Sequence, residues 1–266
     1  MASVEDLRTD LSAEQTALDS MLGLLKPADW DLDTPAEGWT IKDQISHLAF
    51  YDEAATVAVE EPELFEESLE QVEADAQAFL DEPLERGRAM TPDEVQDWWW
   101  EARNDMLLAF ETLEGGQRIK WYGPAMSAES FITARLMEVW AHGQDIADAM
   151  RLQRRPTDRL KHVAHIGIRS LPFSFATNGL ATPSEDVSVR LTSPTDEVWS
   201  WGSSSSNKVS GTAEDFCLVV TQRRHVDDTD LVVDGPIATR WLEVAQAFAG
   251  PPGKGRRPGQ FPKRTA

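Results

Sequence analysis

The chain has 266 residues and a single cysteine, Cys217. That excludes an intramolecular disulfide and a metal site built from thiolates, so any metal must rest on histidine and carboxylate. Basic residues are scarce. There are 25 Lys and Arg against 46 Asp and Glu, a net charge of −21. Such a surface repels phosphate backbones and anionic lipids, so neither nucleic acid nor a membrane is an expected partner. Long apolar runs are missing too: none approaches the roughly 20 residues of a membrane-spanning helix. The acidic start MASVEDLRTDLSAEQ has neither the basic nor the apolar region of a signal peptide, which predicts a cytoplasmic protein.

What is present is enough for a core, at 41% hydrophobic residues, and for one or two domains. Leu7, Leu11, Leu18, Leu22 and Leu25 recur at helical spacing over 5–26, and Pro27 ends that run. A second helix is expected over 40–58, with Thr40 as N-cap and Asp43 favouring the first turn's free N–H groups. Residues 62–82 are strongly acidic and read as an insertion with helix around Leu64, Leu69, Val72, Phe79 and Leu80. Thr91-Pro92-Asp93-Glu94 combines an N-cap, a proline at the first helical position and a capping-box glutamate. The helix it starts runs to about Leu113. Within it, Trp98, Trp99 and Trp100 point about 100° apart, so they cannot share one core face. Ser127 caps a fourth long helix, about 128–150.

Four long helices predict an up-down bundle over about 1–155, with the acidic insertion at about 60–90. Beyond Pro156 the pattern changes. A helix over 158–178 is interrupted by Pro172. Alternating runs at 187–191, 197–201, 208–210 and 231–233 read as short strands, with helices over 213–222 and 236–248. The expectation is an α+β protein: a four-helix bundle, then a smaller α+β domain over about 156–250. Residues 251–266, with the basic cluster from Lys254 to Arg264, read as a disordered tail.

Glu138 and His142 stand four residues apart, on one helix face, where both can reach one metal ion. His47, midway along a buried helix, is the candidate third ligand, and His2Glu is a catalytic zinc set with a position left open. The same stripe carries Arg135 and Asp145. Asp145 could orient His142 or bind metal itself. The spacing is equally compatible with a surface charge network, Arg135 with Glu138 and His142 with Asp145.

Two segments carry more than spacing. Gly38-Trp39-Thr40-Ile41-Lys42-Asp43-Gln44-Ile45-Ser46-His47-Leu48 and Arg135-Leu136-Met137-Glu138-Val139-Trp140-Ala141-His142-Gly143-Gln144-Asp145 resemble the two metal-binding segments of the DinB-like superfamily. They are most similar to the branch that contains mycothiol-dependent maleylpyruvate isomerase. The resemblance implies a DinB-like bundle in which His47, Glu138 and His142 bind a divalent metal, usually zinc. It further implies that the metal activates a small-molecule thiol of the mycothiol type, which attacks an electrophilic substrate in a transferase or isomerase reaction. The 216–226 and 245–253 runs resemble an actinobacterial subgroup with no settled reaction. Arg190, Arg223, Arg224 and His225 are candidates to hold an anionic co-substrate, Asp43 and Asp145 candidate general bases, and a second copy of the chain a candidate partner. Two other readings stay open: a metal-binding or partner-binding module without catalysis, and a metal-dependent hydrolase. His162, His165 and Cys217 read as structural.

Overall fold

A computed structural model describes residues 2–261. The fold is α+β and divides into two compact units, the second starting at Arg155.

In the first unit the long helices are α1 (Val4–Leu22), α2 (Ile41–Glu60), α5 (Pro92–Ala109) and α6 (Ala128–Ala149). They start where side chains can satisfy the free N–H groups of a first helical turn. Ser3, Thr40 and Thr91 each close a capping box, with Asp6, Asp43 and Glu94 respectively, and Ser127 caps α6. α2 lies against both α5 and α6, and α1 against α6. Ile41, Ile45 and Leu48 of α2 and Phe131, Ile132, Leu136 and Val139 of α6 are fully buried. The three adjacent tryptophans divide as their 100° spacing requires: Trp98 and Trp99 are buried, and Trp100 is 56% exposed.

The acidic insertion forms two helices, α3 (Pro62–Ala74) and α4 (Ala76–Arg88), both packed on α2. Phe65 turns inward at 1% exposure, while Glu63, Glu66, Glu67 and Glu70 face solvent. Gly87 permits the close approach of α4, since a Cβ there would overlap the Ser46 side chain. A short pair of strands, β1 (Arg118–Ile119) and β2 (Met126–Ser127), leads into α6.

The second unit begins with α7 (Leu160–Arg169) and α8 (Leu171–Thr177), broken where Pro172 enters the first turn of α8. Its sheet has the order β4-β3-β5-β6, from β3 (Ser188–Thr192), β4 (Val198–Trp201), β5 (Lys208–Thr212) and β6 (Val232–Asp234). β3 and β4 form an antiparallel hairpin, β5 runs parallel to β3, and β6 antiparallel to β5. Val189, Leu191 and Val209 point from the sheet into the core, which α9 (Ala213–Val220) covers together with α7. α10 (Pro236–Val244) packs on α8.

Residues 251–261, which composition reads as a disordered tail, form no helix or strand but are tied down by side chains. The Gln246 amide donates to the carbonyls of Phe248, Gly250 and Pro251, and its oxygen accepts from the Gly253 N–H. The Asp228 carboxylate accepts from the N–H groups of Gly259 and Phe261. These partners are distant in the chain or local to an irregular loop, so no periodicity announces them. Lys263 and Arg264 lie outside the described residues.

Candidate metal centre

α2 and α6 bring three ligand-type side chains together. The capping box at Thr40 sets the start of α2, which fixes the direction in which His47 leaves the helix two turns on. On α6, Glu138 and His142 stand one turn apart, with Glu138 Oε2 3.1 Å from His142 Nε2. His47 Nε2 lies 4.0 Å from the same carboxylate oxygen. One ligand atom from each of the three falls within 4.8 Å of the others. His142 is buried, and His47 and Glu138 keep 19% and 21% of their side-chain surface exposed, so the cluster is not closed to solvent.

A chain of hydrogen bonds decides which nitrogen of His142 carries its proton. The Thr34 hydroxyl donates to the Trp39 carbonyl at 2.8 Å, so its oxygen accepts from the Gln44 amide N–H at 2.8 Å. This leaves the Gln44 amide oxygen facing His142 Nδ1 at 2.5 Å, and Nδ1 must be the donor. A neutral His142 therefore presents the lone pair of Nε2 to Glu138. Burial pushes the Glu138 carboxyl up, but the hydrogen bond and charge of His142, with His47 and Arg135 behind them, pull it down to about 2. That pull belongs to a charged ring whose Nε2–H donates to the carboxylate; with the ring neutral, two acceptors would oppose each other at 3.1 Å. That contact is favourable only with a positive species between them, either a second proton on the ring or a metal ion. The residues fit a divalent ion: two imidazoles and one carboxylate converging, with an amide orienting one imidazole from behind.

Gln44 and Thr34 had no signal in the sequence, because the Gln44 contact spans 98 positions and only folding makes it. Tyr51 is a second omission. Its ring lies 4.5 Å from His47, and burial, with Tyr122 and Glu138, pushes its phenol well above the usual range.

The other candidates fall elsewhere. Both Asp43 oxygens are occupied, one by the Thr40 N–H and hydroxyl and both by Arg88. Asp43 therefore holds the start of α2 and is not placed as a general base. Asp145 is 1% exposed, inside the bundle. Arg135 does not pair with Glu138 across an exposed helix face. It is buried and donates twice to Asp52 Oδ1, so the surface network open from spacing alone is not the arrangement found. Burial pushes the Asp52 carboxyl up against the pull of Arg135. Arg190, Arg223, Arg224 and His225 belong to the second unit. Arg223 donates to the Thr221 carbonyl, and Arg224 donates to the Arg223 carbonyl and stacks 3.9 Å over Phe261. Cys217 is fully buried, and burial, then Glu214, pushes its thiol well up, so it offers no ready thiolate.

Residues 11–147, which span all three ligand-type side chains, match the model of the mycothiol maleylpyruvate isomerase N-terminal domain. The chain belongs to this family. Two uncharacterized proteins of Mycobacterium tuberculosis, from strains CDC 1551 / Oshkosh and ATCC 25618 / H37Rv, are each 42% identical over 257 residues, covering 96% of this chain and all of theirs. Among solved structures, the mycothiol-dependent maleylpyruvate isomerase is similar in fold at a TM-score of 0.57 and 17% identity. A histidine-to-alanine mutant of that isomerase gives 0.59 and 16%, and both matches cover 89% of this chain and 99% of theirs. The family assignment thus covers the bundle, and the fold likeness extends over the second unit. Among the described residues, no helix is long and apolar enough to cross a membrane.

Proposed function

We propose that His47, Glu138 and His142 hold one divalent metal ion, zinc by the character of the donors, and that the chain is a metal-dependent thiol transferase or isomerase. The co-substrate would be a small thiol of the mycothiol type and the substrate a small electrophile. The observation that carries this reading is the convergence of three ligand atoms within 4.8 Å, with His142 Nε2 turned toward the Glu138 carboxylate. Family membership supports the choice of thiol. A divalent ion held there would favour thiolate over thiol on a bound co-substrate at neutral pH. The chain's own residues do the rest. Gln44 holds His142 in one tautomer, the start of α2 aims His47, and Tyr51 offers a phenol beside the triad. Cys217, buried and protonated, does not compete as a nucleophile. The hydrolase reading needs a free carboxylate base; of its two candidates, Asp43 is taken up by Thr40 and Arg88, and Asp145 is enclosed in the bundle.

Elemental analysis of the purified chain beside His142→Ala tests the metal. About one zinc per chain is expected in the parent, and a loss of most of it in the variant. Equal metal in both would remove His142 from the site and this reading with it. If metal is present, reaction of a small thiol with an electrophile, followed with and without chelator, tests the activity.

A further inference from the structure

The second unit holds a cavity of about 310 Å³, walled mainly by the end of α9 and the turn after it, the end of α10, and the segment 253–258. Five basic side chains line it: Arg224, His225, Lys254, Arg256 and Arg257. Among the described residues of the lining there is one carboxylate, Glu243, and it is bound to Arg240 at 2.7 Å. In the whole chain acids outnumber Lys and Arg by 46 to 25, so the lining inverts the composition. Val219, Leu242 and Val244 give the cavity an apolar side.

The basic segment is fixed at both ends. Before it, the Gln246 amide oxygen accepts from the Gly253 N–H, and a Cβ on Gly253 would overlap the Gln222 side chain, so glycine allows that approach. After it, the Asp228 carboxylate accepts from the N–H groups of Gly259 and Phe261. A basic tail that only solvated its charges would need neither anchor. Arg224 is placed by Phe261, over whose ring it stacks at 3.9 Å. His225 Nδ1 accepts from the Asp227 N–H at 3.2 Å, so a neutral His225 carries its hydrogen on Nε2 and can donate it. The Asp227 carboxylate lies 3.4 Å from the same Nδ1 but is not part of the lining. Like charges gathered at one cavity repel one another, and an anion among them offsets that cost. Guanidinium forks pair with phosphate through two parallel bonds, and a dianion gains more from several cations than a monoanion does.

We propose that this pocket binds a phosphate group, either free or esterified to a small molecule. Its volume stands at the lower end of the roughly 300–1,000 Å³ of small-molecule sites. The net charge of −21 turns polyanions and anionic membranes away, which leaves a small anion as the ligand. Arg190 and Arg223, the other cations considered for an anionic ligand, do not line the cavity. Every lining residue belongs to the second unit, and none is a member of the metal triad, so the proposal does not rest on the metal.

Inorganic phosphate, glycerol 3-phosphate and acetate are each titrated into the full-length chain at neutral pH and followed by calorimetry. Both phosphates are expected to bind at least about tenfold more tightly than acetate. Lys254→Gln and Arg257→Gln, both at exposed positions, are each expected to weaken phosphate binding about tenfold while leaving circular dichroism and Tm unchanged. Lys208→Gln makes the same charge change at an exposed position of β5 outside the lining, and is expected to alter binding less than about twofold. Tighter binding of the ester than of inorganic phosphate would identify a phosphorylated small molecule as the ligand, and equal binding would identify free phosphate; either supports the proposal. Phosphates that do not bind, that bind no tighter than acetate, or that are indifferent to Lys254→Gln and Arg257→Gln overturn it. An equal loss in Lys208→Gln would reduce the effect to net charge and overturn it as well.

Discussion

The two units bury polar side chains of different kinds. The first encloses charge: Glu14, Asp43, Asp52, Arg103, Arg135 and Asp145 are all at or below 7% exposure. Among the described residues, the buried polar side chains of the second unit are uncharged: Ser174, Ser193, Asn207, Thr221, Thr229 and Gln246. The neutral ones close turns and tie segments together. Asn207 accepts from the Ile237 N–H at the start of α10, and Ser193 from Thr195 and Glu197 at the β3–β4 turn. Such bonds replace bonds to water at little net cost. A buried charge is costly wherever it sits and needs a close partner. Four of those six, Asp43, Asp52, Arg135 and Asp145, sit on α2 and α6, the two helices that also carry His47, Glu138 and His142. Perturbed, enclosed charge gathers where chemistry is done, and the contrast therefore marks the first unit as the one that carries the site.

The contrast can be broken most directly by deleting one group from each unit. Asp52→Ala leaves Arg135 enclosed without its counter-charge, and about 3–5 kcal/mol of stability should be lost in denaturant unfolding. Gln246→Ala, which removes the neutral clamp on residues 248–253, should cost roughly 1–3 kcal/mol. Equal losses would mean that the buried charge is no more demanding than a neutral hydrogen bond.

Gln44→Ala sharpens the comparison at the site. The variant should fold, since the helix caps are untouched, but His142 loses the partner that fixes its tautomer. Zinc affinity in a chelator competition should fall by about 10- to 100-fold. An unchanged affinity would show that His142 is oriented without it.

A further effect is a pH slope in chelator-treated protein. Glu138 is held near 2, below its ordinary 4.5. It therefore contributes stability that is present above about 4.5 and lost as pH falls through about 2. Glu138→Gln should flatten that part of the acid profile. Parallel profiles would show that the carboxylate gains nothing from its two histidines in the metal-free chain.

The local grammar of the chain was readable in advance. Thr91-Pro92-Asp93-Glu94 starts α5, Pro172 separates α7 from α8, and the alternating runs at 187–191 and 208–210 fall in β3 and β5. Each is decided by neighbours within a few positions, through caps, a missing N–H or side-chain alternation. Asp43 shows the limit: the sequence marks it as a good first-turn residue and equally as a carboxylate near a histidine. Only Arg88, 45 positions away, shows that its oxygens are taken.

The metal centre divides in the same way. By itself the sequence determines that Glu138 and His142 share a helix face, because 3.6 residues per turn requires it. The meeting of His47 with them, the Gln44 bond that holds His142 with Nε2 toward Glu138, and the delivery of Phe79 and Tyr122 to the ring of Tyr51 belong to the tertiary structure alone. These contacts join residues far apart in the chain, and helical periodicity carries no information about which faces of two helices will meet. The packing of α2 against α6, and of the acidic insertion against α2, supplies it.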